Sequence, residues 1–214
     1  MTVKAVITDW GGVLTSPLHE AVPVWLAADR IDAVRYRSVM RDWVTRAYES
    51  GEGAGANPIH GLEDGTLDPS EFERLLAAEL RTVDGGPVAA EGMIARMFAA
   101  FAPVEPMYDV LRTLRAGGTR TALLSNSWGN EYPREVFAEI FDAVVISCEV
   151  GMRKPDEKIF HHALALLGLS ARECVFIDDI EHNTRAAENL GLHVIHHTDT
   201  PTTTTALRAL GLPA

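Results

Sequence analysis

The sequence predicts an α/β fold: a parallel sheet with helices on both faces, carrying a block of helices after its first strand. Three observations lead there. Short runs that are apolar throughout, such as "AVVIS" (143–147) and "ECVFI" (173–177), read as strands buried on both faces, which is the environment of a parallel sheet. From about residue 102 onward these runs alternate with segments of helical periodicity. Residues 16–101 break that rhythm, with helical patterns and no strand between them.

In order, "VKAVIT" is the first strand, and the helical block follows with "AVPVWLAADR", "AVRYRSVMRDWVTRAYES", "PSEFERLLAAELR" and "AEGMIARMFAAF". The glycine-rich "GEGAGANPIHG" (51–61) reads as a mobile loop, and it follows a helix rather than a strand, unlike a dinucleotide fingerprint. "TRTALLS" (119–125) is a strand, "EYPREVFAEIF" (131–141) a helix and "AVVIS" a strand. "PDEKIFHHALALLG" (155–168) is a helix with Pro155 suited to its first turn. "ECVFI" is a strand, "EHNTRAAENLG" (181–191) a helix ending at Gly191, and "HVIHH" (193–197) the last strand. The threonines of 200–205 read as a loop before a short terminal helix. The domains expected are a core of residues 1–15 and 102–214 and a helical unit of 16–101.

A chain of 214 residues, 47% hydrophobic and 23% charged, is ordinary globular material. Its net charge of −11 argues against nucleic-acid and anionic-membrane partners, and leaves any anionic substrate to be drawn by local charge. Cys148 and Cys174 both lie in apolar runs and read as buried thiols in a reducing compartment. No zinc spacing is present, "MTVKAVIT" does not read as a signal peptide, and no apolar run approaches a membrane span. A cytoplasmic protein is expected.

In open parallel sheets ligands bind beyond the carboxyl ends of the strands. The polar residues expected there are Asp9, Ser125 with Asn126, Arg153 with Lys154, and Asp178 with Asp179. Each has a plain alternative. Ser125 and Asn126 are good caps for a following helix, and Asp178 and Asp179 suit the positive end of a helix dipole. Two adjacent carboxylates also repel, which a metal ion relieves. Arg153 and Lys154 stand just before an expected helix start, where cations are disfavoured, so a bound phosphate or a solvated basic turn accounts for them.

Taken together, "DWGGVLT", "LLSN", "GMRKPD" and "FIDD" with Asn183 resemble, in order, the four motifs of the haloacid dehalogenase superfamily. The helical block resembles that family's cap of the first type, and "HGLEDGTLDPSEFERLL" (60–76) a stretch common in such caps. The resemblance implies a Rossmann-like core and a phosphatase acting on a small phosphate ester, with Asp9 as nucleophile forming an aspartyl-phosphate. It implies Mg²⁺ held by Asp9, the Gly11 carbonyl and the acidic pair, Asp179 directly and Asp178 directly or through water. It implies Ser125 and the backbone around Asn126 bonding the phosphoryl oxygens, Lys154 neutralising charge, and Asn183 supporting the acidic loop.

The departure is Gly11, where many members carry an aspartate as general acid and base. The first motif here, D-x-G-G-V, is similar to that of a phosphatase-like subgroup. A water, His60 or Glu63 would then supply the proton, although both side chains also read as an ordinary polar loop. A carboxylate restored at position 11 is expected to crowd a loop fitted to glycine. The superfamily's 2-haloacid dehalogenases also lack the second aspartate, but they need no metal, whereas Asp178 and Asp179 are kept. A non-catalytic binding protein retaining the fold is the third reading. His161, His162, His193, His196 and His197 read as solvated or packed, and Trp25 and Trp43 as core of the helical block. Trp10 and Trp128, each following a site motif, suit either a pocket wall or packing under the cap.

Overall fold

The computed structural model describes residues 2–49 and 57–214. Strand β1 (Ala5–Thr8) leads into α1 (Leu18–Ala28), α2 (Ala33–Glu49), α3 (Pro58–Asp64), α4 (Pro69–Glu79) and α5 (Met93–Phe98). Then come α6 (Glu105–Ala116), β2 (Arg120–Ser125), α7 (Arg134–Ile140), β3 (Ala143–Ile146), α8 (Ser147–Val150) and α9 (Glu157–Leu167). The chain closes with β4 (Cys174–Asp178), α10 (Glu181–Asn189), β5 (His193–His196) and α11 (Thr200–Ala209). All strand pairs are parallel, in the order β3-β2-β1-β4-β5.

The central strands β1, β2 and β4 are buried on both faces, and their side chains alternate between two cores. Val6, Leu123, Val175 and Ile177 point to one face and pack with Met107, Leu111 and Leu114 of α6, Phe137 and Ile140 of α7, and Leu207 of α11. Ala5, Ile7, Ala122, Leu124, Cys174 and Phe176 point to the other and meet Ile159, Phe160, Ala163 and Leu167 of α9 and Ala187 of α10. Helices α1 to α5 enclose a third core of their own, with Trp25, Trp43, Leu62, Phe72, Leu80 and Met93. Trp25 and Trp43 are therefore core of the helical block, as their helical spacing suggests.

Several local expectations are corrected. Residues 57–61 of the expected 51–61 loop begin α3, because Asn57 caps it by accepting from Ile59 N and Pro58 fills the first turn; residues 51–56 lie outside the described residues. The threonines of 200–205 are helical, since Asp199 caps α11 by accepting from Thr202 N. Helix α9 starts after Pro155, at a cap formed by Asp156 accepting from Lys158 N. The strand expected to reach Ser147 stops at Ile146 and turns into α8. That turn brings Cys148 to the surface, while Cys174 is buried and its thiol is pushed up to about 11 by burial. Among the described residues no helix is long and apolar enough to cross a membrane.

The strand order marks where a ligand site is expected. The chain lays β2 and β3 on one side of β1, then crosses to lay β4 and β5 on the other. The carboxyl ends of β1 and β4 therefore flank the point where the strand order reverses, the usual binding crevice of such sheets.

Candidate active site

Asp9 directly follows β1, and its amide still donates to Ile177 O of β4 at 2.9 Å, so the carboxylate is anchored at the end of the ladder. Its Oδ1 accepts from the Trp10 amide at 2.7 Å, and its Oδ2 lies 2.9 Å from Lys154 Nζ. Lys154 is 0% exposed, and its ammonium also donates to Asp178 Oδ2 at 2.7 Å. Neither a solvated basic turn nor a helix-end contact describes this lysine. It is a buried cation between two carboxylates.

Asp178 ends β4, fully buried, and its oxygens are heavily used. Oδ1 accepts from the Ile180 amide at 2.8 Å, and Asn183 Nδ2 reaches Oδ1 and Oδ2 at 3.2 and 3.1 Å. Asn183 thus supports the acidic loop by bonding its first carboxylate. Asp179 instead lies against the Asp9 loop: a Cβ added to Gly12 would sit 2.3 Å from Asp179 Oδ2. Gly12 has φ +73°, so both its backbone conformation and this approach demand glycine. Gly11 differs. A Cβ there would meet nothing within 4 Å, so the expected crowding at position 11 is absent, and the constraint belongs to its neighbour.

The electrostatics follow from burial. Asp9 is pushed up to about 7, chiefly by burial, with Lys154 pulling down and Asp178 and Asp179 pushing up. Asp179 is pushed up to about 6 by burial and by the Asp178 charge. For Lys154 burial favours the neutral amine, yet the carboxylates of Asp178 and Asp9 prevail and hold it charged.

Ser125 and Asn126 do not cap a helix, because the next one, α7, begins only at Arg134. Ser125 is buried at the end of β2, its Oγ 3.1 Å from the Tyr132 hydroxyl. The Asn126 side chain clamps the backbone of Lys154, donating through Nδ2 to its carbonyl at 3.0 Å and accepting at Oδ1 from its amide at 2.8 Å. Asn126 therefore sets the position of the lysine. That role leaves no trace in sequence spacing.

From the helical block, α3 brings His60 and Glu63 to the same end of the sheet, both buried. Arg153 joins them, with Nη1 3.2 Å from Glu63 Oε2, Nη2 2.7 Å from His60 Nε2, and Nη1 donating to the Lys154 carbonyl at 3.1 Å. Glu63 Oε1 also accepts from Trp128 Nε1 at 3.4 Å, and its carbonyl accepts from Ser147 Oγ. Burial and the Arg153 cation lower the His60 pKa, so a neutral ring accepts from Arg153. Gly65, in the left-handed region at φ +78°, ends α3 so close to α8 that a Cβ would lie 2.8 Å from the Cys148 carbonyl. Neither His60 nor Glu63 belongs to an ordinary polar loop. Trp128 packs edge-on to Phe72 at 5.7 Å, whereas Trp10 belongs to the sheet core. His197 is packed, its Nδ1 2.8 Å from Thr203 Oγ1.

Asp9, Asp178 and Asp179 each offer an oxygen, and these atoms lie within 4.8 Å of one another. An all-oxygen, carboxylate-rich set fits a hard divalent cation. Burial is the main cause of the upward shift of Asp9 and Asp179, and the neighbouring carboxylates add to it; a bound cation would oppose both.

This chain matches the family described as haloacid dehalogenase-like hydrolase over residues 3–191. It belongs to that family. As a member it is a hydrolase with the parallel α/β sheet of the fold. It is 30% identical to the sesquiterpene phosphatase astK of Aspergillus oryzae over 70% of this chain and 76% of that one. It is 36% identical to mouse acyl-CoA dehydrogenase family member 10 over 98% of this chain but 19% of that protein, so it spans only a part of some relatives. It is 30% identical to the glyceraldehyde 3-phosphate phosphatase of Methanopyrus kandleri over 61% of this chain and 59% of that one. Among solved structures, a family enzyme of Bacteroides thetaiotaomicron, in complex with magnesium and inorganic phosphate, superposes with TM-score 0.66 at 21% identity, covering 92% of this chain and 94% of that one. At that identity the likeness is one of fold.

Proposed function

We propose that this chain is a Mg²⁺-dependent phosphatase that hydrolyses a small phosphorylated metabolite through an aspartyl-phosphate on Asp9, with residues 16–101 acting as its cap. The observation that carries this reading is the buried Lys154 ammonium held 2.9 Å from Asp9 and 2.7 Å from Asp178. A fixed cation beside a carboxylate nucleophile favours an anionic substrate whose charge must be spread as the bond to Asp9 forms.

In this reading an Asp9 oxygen attacks phosphorus, and the P–O bond to the leaving group breaks, expelling an oxyanion that takes up a proton. Water then attacks the phosphorus of the acyl phosphate, releasing inorganic phosphate and restoring the Asp9 carboxylate. The Trp10 amide and Lys154 Nζ hold the two Asp9 oxygens, so the side chain meets substrate in one orientation. Ser125 Oγ and the backbone around Asn126 receive the phosphoryl oxygens, and Asn126 fixes the Lys154 backbone. Asp9, Asp179 and the Gly11 carbonyl would hold Mg²⁺, with Asp178 direct or through water; the ion, when bound, supplies positive charge for the phosphoryl oxygens. Asp179 is the freer of the acidic pair, since Asp178 already bonds Lys154, Asn183 and the Ile180 amide. With glycine at position 11, no carboxylate on that loop protonates the leaving group, so esters of acidic alcohols should react fastest.

The related phosphatases are named for unlike esters, a sesquiterpene and a triose phosphate, so the substrate is not inferred from them. The test is release of phosphate from 4-nitrophenyl phosphate with and without Mg²⁺, with Asp9→Asn as control. Activity that needs Mg²⁺ and vanishes in the variant supports the proposal. Chloride release from a 2-haloacid without metal would replace it by the dehalogenase, and no turnover of either substrate by the non-catalytic protein.

A further inference from the structure

Ser125 is given a neighbour that none of the four motifs contains. Tyr132 stands in the loop between β2 and α7, and its phenolic oxygen lies 3.1 Å from Ser125 Oγ. The ring is held in place from two sides, with the Trp10 centroid 4.9 Å away and that of Phe137 5.9 Å away. Trp10 is the residue after the nucleophile, so the ring that aims the Tyr132 hydroxyl is tied to the Asp9 loop itself. Burial pushes the phenol up to about 12, with the Asp9 charge adding to the effect, and the group stays protonated across the working range.

Either oxygen can donate in this bond, and the two directions differ in what they leave for the substrate. A serine hydroxyl carries one proton, and a phosphoryl oxygen of an ionised ester only accepts. If Ser125 spends its proton on Tyr132, it has none for the substrate. If Tyr132 donates instead, Ser125 Oγ is held by an incoming hydrogen bond and its own proton is free to point at the phosphoryl group. Resting on the phosphatase reading above, we propose that Tyr132 is a positioning residue that donates to Ser125 Oγ and so reserves the Ser125 proton for the transferred phosphoryl group.

The decisive experiment is a double-mutant cycle on Tyr132→Phe and Ser125→Ala, read in kcat/KM for 4-nitrophenyl phosphate and in the inhibition constant for inorganic phosphate. Phenylalanine keeps the ring packing against Trp10 and Phe137 and removes only the hydroxyl, and melting temperatures of all four proteins check that the fold is kept. In the wild-type background Tyr132→Phe should lower kcat/KM by about 3- to 10-fold, the scale of one neutral hydrogen bond, and weaken phosphate inhibition in parallel. In the Ser125→Ala background the same change should have no further effect, because the tyrosine acts only through the serine. Equal losses in both backgrounds would overturn the proposal in favour of direct contact between Tyr132 and substrate. No loss in the wild-type background would overturn it outright. Should the wild-type protein release no phosphate, the phosphatase reading falls, and the same cycle read in the affinity for inorganic phosphate with Mg²⁺ still decides the role of Tyr132: coupled losses support it, and additive losses, no loss or no binding reject it.

Discussion

Gly12 and Asp179 touch in a way that fixes both: a Cβ on residue 12 would lie 2.3 Å from Asp179 Oδ2 and 2.6 Å from its carboxyl carbon. The loop after β1 and the loop after β4 are thereby brought together at the point where the acidic cluster forms. A methyl group at residue 12 has to displace that carboxylate, and it also meets the cost of a left-handed backbone at φ +73°. Gly12→Ala should weaken Mg²⁺ activation by about 10- to 100-fold, the range seen when the support of a metal ligand is lost. A Mg²⁺ titration of phosphate release checks this, and an unchanged titration midpoint would mean that Asp179 does not serve the metal.

Gly11 gives the opposite expectation. With open space around a Cβ there, Gly11→Asp should fold with a melting temperature close to that of the parent. If the missing proton donor limits the reaction, the new carboxyl should raise kcat/KM for an alkyl phosphate by about 10²-fold or more, the usual range of general acid catalysis, and gain less on an aryl phosphate. Rates that do not move on either substrate would show that another group already delivers the proton.

The fold was legible because burial leaves a direct mark: β4 is apolar without a break from Cys174 to Ile177, and a parallel sheet explains that. Asp9, Asp178 and Asp179 were legible because each stands at or just after a strand end, and Lys154 because a cation stands where a helix was expected to start. The contacts made by Asn126, Gly12 and Tyr132 were not. They join loops 28 residues apart for Asn126 and Lys154, and no periodicity registers such a meeting. The apolar context of Cys148 misled for a related reason: the strand stops at Ile146, and the turn into α8 reverses which side is buried.

Acid should act on metal and on stability in opposite directions. Asp9 and Asp179, at about 7 and about 6 against 3.8 for an ordinary aspartate, hold protons in the folded state that the unfolded chain has released. In metal-free protein their contribution to stability is fully present below about pH 4 and is lost as pH rises towards about 7. Mg²⁺ needs both groups ionised, so the rise in melting temperature that it produces should grow between pH 5 and 8. Thermal melts with and without Mg²⁺ across that range test this, and an increment that shrinks with pH would count against the cluster as the metal site.

Lys154→Met removes the one ammonium between Asp9 and Asp178, leaving two buried carboxyls facing each other. Activity should fall by about 10²-fold or more, since the charge that stabilises the transferring group is gone. Breaking a buried ion pair by deleting one partner costs about 3–5 kcal/mol, so the melting temperature should drop as well. Because a retained proton relieves the repulsion between the carboxyls, the drop should be smaller at pH 5 than at pH 8. A pH-independent drop would point to lost packing against Phe176, whose ring centroid lies 5.5 Å from the ammonium, instead of lost charge.

Glu63 joins the helical block to the loop that carries Lys154. Its carboxylate takes Arg153 at 3.2 Å and Trp128 at 3.4 Å, and Arg153 in turn bonds the carbonyl of Lys154. Burial raises the Glu63 pKa while the Arg153 cation opposes the rise, so the charge on Glu63 depends on its partner. Glu63→Gln keeps the shape and removes the charge, leaving Arg153 with His60 and the carbonyl but without a counter-ion. If α3 seats on the core through this pair, the variant should expose α3 to faster hydrogen exchange and raise KM by about tenfold or more, the scale of one charge-assisted bond, while kcat changes less. If Glu63 instead delivers the proton that Gly11 cannot, kcat should fall with KM nearly unchanged, and the loss should be far larger on an alkyl phosphate than on an aryl phosphate. Measuring both constants on both substrates separates the two roles, because a loosened seat weakens binding of either ester alike whereas a missing acid penalises only the poor leaving group.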